Sequence, residues 1–154
     1  MAFQRNQRFD QGPKEFEEKV IQVNRVSKKT SGGNKVGFAV LAVVGDKKGR
    51  VGVGHGKAND VQSASQKAIS YAKKHLVTIN MKGTTIPHEI FIKLGAARVM
   101  LRPAPAGSGI IAGGSVRAVV SLAGIKDISS KVMGTSNKAS NVYATLEALK
   151  RLKV

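Results

Sequence analysis

Between Asn24 and Lys57 the chain places eight cations, Arg25, Lys28, Lys29, Lys35, Lys47, Lys48, Arg50 and Lys57, against one acid, Asp46. They cluster where glycine interrupts an apolar pattern, at Gly32-Gly33 and from Gly45 to Gly56. Lysine and arginine neutralise a dense polyanion. Glycine lets the backbone approach a bulky partner and adopt positive φ. Together they offer non-covalent recognition of phosphates. The same residues also suit a hairpin whose lysine edge stays solvated and resists pairing with other sheets.

Residues for bond-making chemistry are sparse. Apart from Glu15, Glu17 and Glu18, the carboxylates stand alone, at Asp10, Asp46, Asp60, Glu89, Asp127 and Glu147. General acid–base catalysis or divalent-metal binding needs such groups to converge. His55, His75 and His88 lack zinc-binding spacing, and there is no cysteine. The expectation is a protein with no catalytic residues, no metal, no cofactor and no small-molecule substrate. Gly52-Val53-Gly54-His55-Gly56-Lys57 superficially suggests a phosphate loop, but Val51 and Ala58 stand where a Walker motif needs Gly and Ser or Thr. Pro103–Ser115 is glycine-rich and leads into a helix, whose free N–H groups favour an anion. That cradle could hold an RNA phosphate or be filled by a protein contact.

Over the whole chain, 26 Lys and Arg stand against 9 Asp and Glu, a formal charge of +17 on 154 residues. Such an excess repels itself unless a polyanion neutralises it. Nucleic acid fits better than a membrane, because no apolar run is long enough to span one and no basic helix carries an aromatic face. The first residues show no secretory apolar segment. The absence of cysteine fits a reducing compartment.

The expected organisation begins with a flexible tail over 1–14. A unit over 15–80 follows, with a strand at Phe16–Val26, a loop at Ser27–Lys35, a strand at Val36–Val44, a turn at Gly45–Gly49 and a strand at Arg50–His55. Asn59 or Asp60 then caps a helix whose buried stripe is Val61, Ala64, Ala68, Ala72 and Leu76. A second unit over 81–154 carries strands at Ile86–Leu94 and Arg98–Leu101, then a helix at Ile111–Leu122. A short strand at Lys126–Lys131 and a final helix at Ala139–Leu152 complete it. The fold class is α+β, with β-β-β-α followed by a second unit of strands and helices.

The runs NRVSK at 24–28, VVGDKKGRVGVGHGKA at 43–58, PAPAGSGIIAGGSVRAV at 103–119 and GTSN at 134–137, with the Gly32-Gly33 loop, occur in order and at the right spacing. In these the chain resembles the bacterial ribosomal protein S5 family over nearly its whole length. The resemblance implies an N-terminal domain like a double-stranded-RNA-binding domain lacking its first helix, then a βαβ-type C-terminal domain. It implies a structural constituent of the small (30S) subunit, cytoplasmic and in the ribosome, that binds 16S rRNA and contributes to assembly and translational accuracy. Its implied neighbours are ribosomal proteins S4 and S8, the mRNA where it enters, and, for the Ser27–Lys35 loop, the spectinomycin site.

Combined with the charge pattern, the resemblance assigns RNA contact to Asn24, Arg25, Ser27, Lys28, Lys29, Gly32, Gly33, Lys35, Lys48, Arg50, Gly52, Gly54, His55, Gly56 and Lys57. It assigns an S4-facing surface to Gly107, Gly109, Gly113, Gly114 and Arg117. Two positions depart from the family. Asn34 stands where the loop often has arginine, and His55 where an aromatic residue is frequent, so His55 either stacks on RNA or packs. Arg117 either joins the protein interface or covers the core with its stem. Two other classes remain: a free RNA-binding regulator, and a small phosphotransferase built on the 103–115 loop.

Overall fold

A computed structural model describes residues 15–154; the expected tail at 1–14 lies outside the described residues. Valine-rich runs bounded by glycine fold as three strands, β1 (Glu17–Thr30), β2 (Gly33–Gly45) and β3 (Arg50–Ala58). Helix α1 (Val61–Lys74) follows, then a two-residue strand, β4 (Val77–Thr78). The four strands make one antiparallel sheet in chain order.

The second unit contains β5 (Ile90–Leu94), β6 (Ala97–Pro103), β7 (Ile110–Ile111), α2 (Gly114–Ala123), β8 (Ile128–Met133) and α3 (Lys138–Lys150). Its sheet order is β5-β6-β8-β7. β7 and β8 are parallel, with α2 as the crossover, so this unit contains a βαβ element. The architecture is α+β, as the sequence suggests.

Several boundaries differ from expectation. The supposed loop Ser27–Lys35 is mostly strand, because β1 and β2 pair out to Thr30↔Gly33 and only Ser31 and Gly32 turn the corner. Ladder hydrogen bonds hold this polar ribbon, which has no apolar periodicity to announce it. Helix α2 starts at Gly114 rather than Ile111, with Gly113 as N-cap, because Ile110–Ile111 is drawn into the sheet. Strand β5 begins at Ile90, not Ile86, although Ile86 is buried in the core.

Asp60 caps α1: its side chain accepts hydrogen bonds from the Ser63 N–H (3.4 Å) and hydroxyl (2.7 Å). The buried stripe is Ala64, Ala68 and Ala72, while Val61 is exposed. On the facing strand, Gly52, Gly54 and Gly56 recur at the two-residue period of a sheet face. A Cβ on any of them would overlap the α1 backbone, at Ala72, Ala68 and Ala64 respectively. Glycine on the strand and alanine on the helix therefore bring the two backbones into direct contact.

The two sheets share one hydrophobic core. Leu41, Val43, Val51 and Val53 of the first unit pack in the same cluster as Val99, Leu101, Val119, Ile128 and Leu149 of the second. A backbone joint supplements it: in the turn between β2 and β3, the N–H groups of Lys47 and Gly49 donate to the Leu122 and Ala123 carbonyls at the end of α2 (3.0 and 2.9 Å). These carbonyls have no partner inside their own helix, so one unit caps a helix of the other.

Gly54→Ala is expected to destabilise the fold by about 1–3 kcal/mol or more, since its Cβ meets backbone that cannot turn aside. Gly32→Ala, with open space around the added methyl, is expected to stay within about 0.5 kcal/mol of the parent. Urea denaturation of both variants checks the contrast.

Candidate nucleic-acid interface

Strand alternation sorts the basic residues of the hairpin. Lys28 and Lys35 are cross-strand partners and so share a face. Arg25, Ser27 and Lys29 alternate onto the opposite face. Asn24, Arg25, Ser27, Lys28, Lys29, Gly32, Gly33 and Lys35 are all exposed. Gly33 has φ 129°, a value costly for other residues, whereas Gly32 has no positive φ. The glycine requirement at this corner thus belongs to Gly33 alone.

The Lys28–Lys35 face looks into a cleft of about 540 Å³ between the hairpin and the start of α1. Four lysines, Lys28, Lys35, Lys57 and Lys67, line it with a single acid, Asp60. The carboxylate of Asp60 is already engaged by Ser63, so it neutralises little. Like charges directly opposite in a ladder destabilise it. Two lysines held in this way beside two more form a site poised for an anion. Among the sequence-assigned residues the fold unites Ser27, Lys28, Lys35 and Lys57 here, and it adds Lys67. Lys67 was assigned no role from the sequence; its position one turn after Ser63, near the helix start, was the available signal.

Other assigned residues serve the fold instead. Gly52, Gly54 and Gly56 are buried beneath α1 and are not open to RNA, because their missing side chains make room for the helix. Arg50 donates to Asp46 (2.7 Å) and Glu15 (3.4 Å), and its guanidinium carbon lies 5.3 Å from the centre of the Phe16 ring. Its donors are thereby directed into the protein. Burial alone would raise the Asp46 carboxyl, but hydrogen bonds from the Lys48 N–H and from Arg50 outweigh it and hold the pKa below the usual value. This carboxylate organises the turn that docks on α2. Lys47 pairs with Glu17 at 2.7 Å, whereas Lys48 remains exposed. His55 is exposed, beside but not lining the cleft.

In the second unit, the loop ahead of α2 does not present an empty cradle, although the N-terminus of α2 itself carries no side-chain cap. The carboxylate of buried Asp127 accepts the N–H groups of Gly107 (3.1 Å) and Gly109 (3.0 Å). Both glycines have positive φ, 89° and 72°. The anion at this loop is the protein's own side chain. The Thr84 side chain, then the Gly109 and Gly107 N–H groups, hold the Asp127 carboxyl below its ordinary pKa. Gly113 and Gly114 are exposed at the start of α2. Arg117 is exposed, and its guanidinium donates to the Ile110 carbonyl (2.9 Å), tying α2 to β7. No group of His and acidic residues able to hold a metal occurs among the described residues. No helix there is long and apolar enough to cross a membrane.

A layered β-β-β-α unit with a lysine cleft, joined to a βαβ unit, has the build of a protein that binds a polyanion. Residues 16–80 match the family model of the ribosomal protein S5 N-terminal domain, and residues 92–154 match that of the C-terminal domain. The chain belongs to the ribosomal protein S5 family, structural and non-enzymatic components of the small ribosomal subunit.

Two outcomes follow from this geometry. Lys35→Ala is expected to stabilise the free protein by about 0.2–1 kcal/mol by relieving the Lys28–Lys35 repulsion, a gain readable in urea denaturation at low salt that shrinks as salt is added. Asp127 has a lowered pKa when folded, so its contribution is complete above the unfolded carboxyl value of about 3.9 and is lost as pH falls through the lower folded value. Protection of the Gly107 and Gly109 amides, measured against their intrinsic exchange rates at each pH, is expected to fall over that acid range, with Asp127→Asn removing this change.

Proposed function

We propose that this protein binds 16S rRNA through the hairpin β1–β2 and the lysine cleft, and contributes to small-subunit assembly and translational accuracy. The observation that carries the reading is the Lys28–Lys35 cross-strand pair at the mouth of a four-lysine cleft. Recognition is by charge and shape: lysines neutralise converging phosphates while the slender hairpin reaches between them. Arg25, Ser27 and Lys29 on the reverse face let the ribbon contact RNA on both sides; Asn24, Lys48 and His55 extend that surface. The units 15–80 and 81–154 act as RNA-binding and protein-facing domains in the cytoplasmic ribosome.

The exposed surface of Gly107, Gly109, Gly113, Gly114 and Arg117 faces a protein neighbour in this reading. Its two loop N–H groups are spent on Asp127, which supports protein packing over phosphate binding and disfavours a phosphotransferase. Ribosomal proteins S4 and S8 and the incoming mRNA are the neighbours that the family resemblance offers, with bacterial origin as its setting.

The chain is expected to track the small subunit through a low-Mg²⁺ sucrose gradient; migration as a free protein would instead favour a regulator acting outside the ribosome. In direct rRNA binding, the Arg25→Ala, Lys28→Ala, Lys29→Ala triple variant is expected to reduce the salt slope by about 0.7–0.9 for each phosphate it no longer neutralises. An unchanged slope would remove these residues from the interface.

A further inference from the structure

Beyond the cleft, the outer face of α1 carries Tyr71, 49% exposed, with its ring stacked on that of His75 at a centroid distance of 4.1 Å and an interplanar angle of 22°. An Nδ1···O contact of 2.9 Å between His75 and the Tyr71 carbonyl fixes the lower ring. A half-exposed aromatic residue gains nothing for the core, and burying one ring face against an imidazole leaves the other available. Lys67 and Lys74 flank it along a shallow groove of the helix surface. Lys73, by contrast, is drawn away into an ion pair with Glu18 (2.7 Å). The groove is continuous with the lysine cleft, since Ser63 and Lys67 line both. From Ser63 to Tyr71 along the helix is about 12 Å, a reach of a few nucleotides.

We propose that the Tyr71–His75 stack is a platform for an unpaired base, so that a single-stranded RNA segment leaving the lysine cleft continues along α1. The inference rests on the RNA-binding reading above. Lys67 and Lys74 hold the backbone of that segment, and the base completes a three-layer stack of base, phenol and imidazole. Every base has a π-face, so the platform tolerates sequence. RNA fits better than an acidic peptide because the groove pairs lysines with a flat aromatic face and no apolar pocket.

The chain has no tryptophan, so Tyr71→Trp in the full-length protein supplies a unique fluorophore at the platform. The probes are a short hairpin RNA with a single-stranded adenosine overhang and the same hairpin with a blunt end. The overhang RNA is expected to quench the Tyr71→Trp signal and the blunt RNA to leave it nearly unchanged. Tyr71→Ala is expected to weaken overhang binding about tenfold and blunt binding less than about twofold, with Tyr71→Phe retaining both. Equal affinities for the two RNAs, unchanged by Tyr71→Ala and without selective quenching, would overturn the platform and leave the cleft reading standing. Binding of neither RNA would overturn both.

Discussion

The molecule depends on two backbone hydrogen bonds that cross between its units. Lys47 and Gly49 donate to the last carbonyls of α2, and a carbonyl at a helix end is costly when buried without a partner. The turn must therefore hold one shape. Asp46 supplies it by accepting the Lys48 and Arg50 N–H groups at 2.8 and 3.1 Å, with the Arg50 side chain closing the ring of contacts. Lys47 takes φ 57° to point its N–H correctly. Gly45 and Gly124 allow the approach, because a Cβ on either would overlap the opposing backbone. The shared apolar cluster adds area, but the joint sets orientation. It also explains why most of the charged groups of this turn, Asp46, Lys47 and Arg50, are engaged within the protein.

Glycine does three different jobs here. At 52, 54 and 56 it is absent bulk beneath a helix. At 107 and 109 it turns N–H groups onto a carboxylate, and at 33 it shapes the hairpin corner. None of these six lines the cationic cleft itself. The free hairpin carries a Lys28–Lys35 repulsion that an anion at this face would relieve.

Much of this was legible in the sequence. The Asp60 cap, the alanine stripe of α1 and three strands before the helix followed from local periodicity and capping chemistry, whereas the βαβ pattern came from the family resemblance, because the two-residue β7 has no signal of its own. What failed was long-range. Polar residues 27–35 gave no strand signal, because cross-strand ladder bonds rather than apolar burial extend the ribbon. The glycines of β3 read as room for RNA, although their two-residue period opposite alanines four apart already described a helix pressed on a strand. Arg50 looked like one more free cation until the fold set it against Asp46 and Glu15. Lys67 and Tyr71 entered the surface only once α1 was docked beside the hairpin.

Asp127 carries a consequence of another kind. Loops that borrow an anion from solution change shape with the ionic medium, and ribonucleoproteins form in media where magnesium, phosphate and counter-ions compete. By closing the Gly107–Gly109 loop with an internal carboxylate, this protein insulates that contour from its surroundings at neutral pH. The contour of this loop is thus decoupled from the electrostatic history of the medium around it.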